Sequence, residues 1–196
     1  HPIKILGRMY MEEMQSERPD LSSIRFAQGE VYFLNHDYEA AIYKWQQPLE
    51  APLIPWAQKN IADAHMEMGL YDDAERFYKA VESQSIHLKS EVLLQLFSLY
   101  KQQGRQERSV VTIKKAVSLN PNYPQVTEKA QTFFEDIKDF NSAIELALRE
   151  GIRTESVSWF EILEGYARQG LTSHHEPSYF NEALATLRHI DPYRFE

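Results

Sequence analysis

Residues Gly29 to Trp45 read GEVYFLNHDYEAAIYKW, with apolar residues ahead of a polar turn and a second aromatic with an alanine behind it. Extended to FAQGEVYFLNHDYEAAIYKWQQPL from Phe26, the stretch lies over NIADAHMEMGLYDDAERFYKAV from Asn60 and LLQLFSLYKQQGRQERSVVTIKKAV from Leu93. The same order returns each time: a small or apolar residue, an aromatic, a turn, another aromatic, then a small residue. Late in the first half of each copy stand Tyr32, His65, Tyr100, Phe134 and Tyr166, evenly spaced along the chain. Early in the second half stand Tyr38, Tyr71, Gln106 and Phe140, followed in the same register by Ala41, Ala74, Ser109 and Ala143. Apolar residues recur at helical spacing, as in Leu93, Leu96, Phe97 and Tyr100, and no strand-length alternation occurs, so the chain is expected to be all-α. Gly69, Gly104 and Gly170 punctuate helical runs, and Pro19, Pro121 and Pro192 close others. Helix pairs with a steady period of about 34 residues indicate a stacked array.

Two helices that pack closely need a small side chain where their backbones meet, with aromatics filling the wider gap one turn away. Ala41, Ala74 and Ala143 are the expected crossing points, with Ser109 tolerated in the third copy. One pair alone leaves an apolar face uncovered, so stability comes from stacking on neighbours.

This pattern resembles the tetratricopeptide repeat family, most closely in GEVYFLNHDYEAAIYKW and in KKAVSLNP from Lys114 to Pro121. The resemblance implies a right-handed superhelical solenoid of helix-turn-helix units covering nearly the whole chain, 1–196, as one array. Units are expected at about 22–55, 55–89, 90–123, 124–155 and 156–192, with an insertion near 171–178. Residues 3–18, with Ile3, Leu6, Tyr10 and Met14 on one stripe, look like the second helix of a truncated preceding unit, Gly7 lying one full period before Ala41. The alternative is a capping helix. In the fifth unit LTSHHEPSYF delays the second helix, and Phe180 and Ala183 restore the pattern. The start at His1 and the unfinished closing HIDPYRFE suggest a segment of a longer protein.

The 196 residues carry a formal charge of -8, which argues against nucleic acid and anionic membranes as partners, since those demand a basic face. No apolar run approaches the roughly 18 to 20 residues of a bilayer span, so no membrane insertion is expected. Zero cysteines exclude disulfides, thiolate metal sites and cysteine nucleophiles. A cytoplasmic location is the expectation. His174, His175 and Glu176 are adjacent loop residues without a second ligand cluster nearby, which favours a solvated loop over a metal site. His65 stands where its counterparts are Tyr100 and Phe134, and is expected to pack. There is no phosphate loop, GxSxG or HExxH, and acid-base spacings such as Asp72 with Arg76 match surface salt bridges. The expectation is a protein that is not an enzyme and has no catalytic residues, cofactor or metal.

What remains is the surface. In the resembled family the first helices line a concave groove for an extended peptide or a partner's helix. Carried over, this selects Phe26, Glu30 and Phe33, then Trp56, Lys59, Asn60, Asp63 and Met66, then Leu94, Gln95, Ser98 and Lys101, and finally Lys129 with Glu128, Thr132 and Glu135. Trp56 has the rival role of stapling its helix to the preceding unit. The lysine and asparagine clamp by which some members hold a terminal carboxylate is matched poorly: Asp63 and Gln95 stand where asparagines are expected. Asp136, Glu161 and Glu164 add acid toward the C-terminus and point to a partner with a basic segment. The expected function is a non-catalytic scaffold for protein-protein interaction within a longer protein. The alternatives are a regulatory or spacer domain of a larger enzyme and a self-association module that forms homo-oligomers.

Tryptophan in place of Ala41, Ala74 or Ala143 is expected to overpack the helix crossing and cost about 1 to 3 kcal/mol or more, measured as a fall in the urea midpoint at constant slope.

Overall fold

The computed structural model describes residues 1–16, 21–171 and 177–195, and for residues 177–180 and 194–195 the backbone alone. Among these residues there are α-helices and short 3-10 turns and no strand. The helices are α1 (Pro2–Met14), α2 (Ser22–Leu34), α3 (Tyr38–Gln46), α4 (Ile54–Glu67), α5 (Tyr71–Gln84), α6 (Lys89–Gln102), α7 (Gln106–Leu119), α8 (Val126–Asp136), α9 (Phe140–Thr154), α10 (Val157–Arg168) and α11 (Pro177–Ile190). Arg18, Pro19 and the loop with His174, His175 and Glu176 lie outside the described residues. The chain forms two compact units, His1–Asn120 and Pro121–Glu196.

From α2 onward the helices come in pairs, and the first helix of each pair ends the same way. His36, Gly69, Gly104, Lys138 and Gly170 all have φ between +59° and +73°. In each turn the amide of the following residue donates back to a carbonyl late in the first helix. Asp37 bonds the Tyr32 carbonyl at 2.9 Å, Leu70 that of His65 at 2.8 Å and Arg105 that of Tyr100 at 2.9 Å. Asp139 bonds Phe134 at 2.8 Å and Leu171 bonds Tyr166 at 3.1 Å. This is the Schellman arrangement, which satisfies carbonyls left over at a helix end and needs one left-handed residue. The acceptors are the four late-helix aromatics and His65 of the sequence period, so the period fixes the turn.

In the first unit the second helix of one pair packs on the first helix of the next. Ala41 and Trp45 of α3 meet Ala57, Ile61 and Ala64 of α4 in one cluster. A second cluster joins Ala62 of α4, Ala74, Tyr78 and Val81 of α5, and Leu88, Val92, Leu96, Leu99 and Tyr100 around α6. Ala41, Ala74 and Ser109 are fully buried, and the Ser109 hydroxyl donates to the Arg105 carbonyl at 3.0 Å, so the third pair keeps a small residue with its polar atom satisfied. In the second unit α9 is the central helix, burying Ala143, Ile144, Leu146, Ala147 and Leu148 among α8, α10 and α11. Phe160 lies over Gly151, where an added Cβ would come within 2.8 Å of the ring.

Ion pairs tie successive helix pairs together. Glu75 of α5 accepts from Tyr100 at 2.7 Å and meets Arg108 at 3.2 Å and Lys79 at 3.1 Å. Burial opposes its negative charge, but the Tyr100 hydrogen bond and the charges of Lys79 and of Arg105 at 3.5 Å prevail and hold its pKa below the usual carboxylate value. Arg76 pairs with Asp73 at 3.2 Å, one helical turn away, and so corrects the expected pairing with Asp72.

α1 ends at Met14, short of the helix expected to reach residue 18, and buries none of its residues fully. Its main anchor is Tyr10, whose ring lies beneath the Arg25 guanidinium at 5.9 Å and the Lys44 ammonium at 5.8 Å. Gly7 faces open space, so it makes no close helix crossing in this structure.

Gly29 and Gly165 are both mid-helix glycines with opposite surroundings. A Cβ at Gly29 would collide with the Trp45 indole, whereas one at Gly165 meets nothing within 4 Å. Gly29→Ala is expected to lose about 1 to 3 kcal/mol of stability and Gly165→Ala to gain about 0.5 to 1 kcal/mol, read from denaturant midpoints.

Candidate binding groove

The late turns of α2 and the middle of α4 bound a pocket of about 230 Å³ in the first unit. It is lined by Glu30, Phe33 and Leu34 of α2, Trp45 of α3, and Lys59, Asn60 and Asp63 of α4. The wall is aromatic because α2 presents Phe26 and Phe33 on one face, both against Trp45, at centroid distances of 6.4 and 6.1 Å. Trp45 is buried and donates its indole N–H to the Phe26 carbonyl at 3.1 Å, which locks the ring against the α2 backbone at Gly29. Sequence reasoning missed Trp45 as a pocket residue and chose Trp56 instead. The available signal was Gly29, a residue with no side chain opposite a large one.

Lys59 occupies the inner side of this pocket and is held from two directions. Its Nζ lies 2.8 Å from Asp63 of the same helix and 2.9 Å from Glu91 of α6. Burial favours its neutral form, yet the hydrogen bonds and charges of Asp63 and Glu91 outweigh burial and raise its pKa above the usual lysine value. Asp63 also accepts the Tyr78 hydroxyl, whose pKa is raised by burial and by that carboxylate. Both oxygens of Asp63 are therefore engaged, and Lys59 is a structural bridge between helix pairs.

Five residues selected from the sequence, Glu30, Phe33, Lys59, Asn60 and Asp63, thus line one pocket. The others lie outside its lining. Phe26 and Met66 are half-buried packing residues of the two clusters. Leu94 is buried, so α6 offers solvent Gln95, Ser98 and Lys101, with the Lys101 ammonium 5.2 Å from the Phe97 ring. Trp56 is 47 % exposed at the start of α4. Lys129, Glu128 and Thr132 are exposed on α8 in the second unit. Glu135 accepts the Tyr166 hydroxyl at 2.5 Å, and burial together with this carboxylate pushes the phenol up to about 12. His65 stacks on Phe77, rings 5.5 Å apart and inclined by 11°, and donates Nδ1–H to the Ile61 carbonyl at 2.9 Å.

The second unit has its own cavity of about 450 Å³ between α9, α10 and α11, walled by Ile144, Leu148, Leu163, Leu184 and Leu187. Its ionisable lining residues, Glu164 and Tyr166, are engaged by Arg168 at 2.8 Å and by Glu135, so few polar groups converge there to orient a ligand. Among the described residues no group of three His, Asp or Glu side chains is placed to hold a metal ion. No helix among them is long and apolar enough to cross a membrane.

Removing the bridge deprives Asp63 and Glu91 of their shared cation. Lys59→Met is expected to cost about 2 kcal/mol in urea denaturation, and Glu91→Gln in that background to cost less than it does alone, a coupling that a double-mutant cycle measures.

The tetratricopeptide repeat family model matches residues 90–123, which span α6 and α7. Among solved structures, the crystal structure of MamA protein superimposes with a TM-score of 0.55 at 20 % identity, covering 90 % of this chain and 97 % of that one. A second crystal structure of MamA gives a TM-score of 0.52 at 20 % identity, covering 84 % of this chain and 97 % of its own. No curated protein sequence matches the chain. Residues 90–123 thus match the tetratricopeptide repeat model, within an all-α fold similar to that of the MamA structures.

Proposed function

We propose that the chain is a non-catalytic scaffold that holds a partner protein through an extended peptide or helix laid along the first helices of the pairs in its first unit. The observation that carries this reading is the pocket between α2 and α4, where Glu30, Phe33, Asn60 and the buried Trp45 place polar groups beside an aromatic wall. Such a mixture suits recognition: the rings supply contact area at little entropy cost, and the polar groups set orientation. The tetratricopeptide repeat at residues 90–123 supports an interaction role. A net charge of -8 favours partners with a basic segment.

The test is capture of binding partners by the whole chain beside the double variant Trp56→Ala with Asn60→Arg. Both changes keep the bridge residues Lys59, Asp63 and Glu91, and circular dichroism checks the fold. Proteins retained by the wild type and lost by the variant are the expected result. Equal capture by both would assign binding to another face, and capture by neither would favour a spacer role within a larger protein.

A further inference from the structure

The charges around the α2–α4 pocket decide which side chain of a bound peptide enters it, and this step rests on the groove reading above. The cation in the lining, Lys59, is 15 % exposed and already held by Asp63 and Glu91 at 2.8 and 2.9 Å. It is spent on those carboxylates and gives an incoming anion no counter-charge. Glu30 is exposed on the pocket's rim and makes no hydrogen bond or ion pair with any described residue. Glu30 and Asp63 thus line the pocket with a single cation, Lys59, which Asp63 and Glu91 already engage. Beside them the Phe33 and Trp45 rings, 6.1 Å apart and inclined by 44°, form an aromatic wall continued by the exposed Leu34.

A carboxylate or phosphate placed here meets uncompensated negative charge. A purely aliphatic side chain covers the rings but strips water from Glu30 and Asn60 without replacing it. A side chain with an apolar stem and a cationic head satisfies both: the stem lies on the rings and the head reaches Glu30. The chain makes the same contact internally, with Arg25 and Lys44 over the Tyr10 ring. We propose that the pocket takes one arginine or lysine side chain of an extended partner peptide, with Glu30 as its counter-ion and Asn60 as a hydrogen-bonding neighbour. The volume of about 230 Å³ suits one such side chain.

The experiment probes an immobilised array of random decapeptides with the whole 196-residue chain, wild type and Glu30→Lys. Bound peptides are expected to share an arginine or lysine whose replacement by norleucine weakens binding about tenfold. The same peptides are expected to shift the Trp45 indole N–H resonance. Glu30→Lys, a change at an exposed position, is expected to keep the wild-type melting curve and lose those peptides. Peptides that bind and shift Trp45 with no basic preference, or that bind Glu30→Lys equally well, would overturn this inference and leave the groove reading standing. An array with no bound peptide would overturn both.

Discussion

Each helix pair from α2 onward depends on one left-handed residue followed by an amide that reaches back to a late-helix carbonyl. Among the described residues such turns stand at His36, Gly69, Gly104, Lys138 and Gly170. The turn fixes where the second helix starts, and so fixes that Ala41, Ala74, Ser109 and Ala143 arrive at buried positions close to the preceding helix. A shift of one residue would rotate a helix by about 100°, and the residue that follows each of these, Ile42, Glu75, Val110 or Ile144, is large or charged. The period in the sequence is the signature of this geometric requirement.

These turns meet that requirement by two chemical routes. Where Gly69 and Gly104 take the left-handed position, the residue opening the second helix is unconstrained: Leu70 and Arg105 make no side-chain cap. Where a residue with a Cβ takes it, an aspartate follows. Asp37 after His36 accepts from the Ala40 amide at 3.3 Å, and Asp139 after Lys138 accepts from Ser142 at 3.1 Å. A left-handed residue with a Cβ costs about 1 to 2 kcal/mol and an N-cap contributes about 1 kcal/mol, so the cap offsets much of the strain. His36 adds a 2.9 Å contact between its Nδ1 and the Tyr38 hydroxyl.

This difference explains what was legible beforehand. Gly69, Gly104 and Gly170 announce their turns, whereas His36 and Lys138 are recognisable only from the period and the aspartate that follows. Helix pairing and small crossing residues were readable because backbone sterics force them. The pocket was readable in part: helical spacing placed Glu30, Phe33, Asn60 and Asp63 on first helices. Trp45 was not, because its role depends on the absence of a side chain at Gly29, on a different helix. The engagement of Lys59 was not legible either, because Glu91, one of the partners that hold it, comes from the next pair. Local spacing constrains contacts within a helix, and contacts between pairs need the stacking geometry as well.

The pocket itself follows from one exchange between equivalent positions. Glu30 and Trp45 of the first pair correspond, one period further along the chain, to Asp63 and Tyr78 of the second. In the second pair the tyrosine hydroxyl reaches the aspartate and Lys59 closes its other oxygen, so that carboxylate is satisfied inside the fold. In the first pair the larger indole fills the space above Gly29 and turns its N–H to the Phe26 carbonyl. The residue at the carboxylate's position is then left without an internal donor among the described residues, beside the mutually tilted Phe33 and Trp45 rings. The repeat thus keeps the backbone while the exchange of tyrosine for tryptophan moves one hydrogen bond from side chain to main chain. That shift turns a structural acid into one that faces solvent, and it does so without disturbing the turn or the helix crossing on which the pair depends.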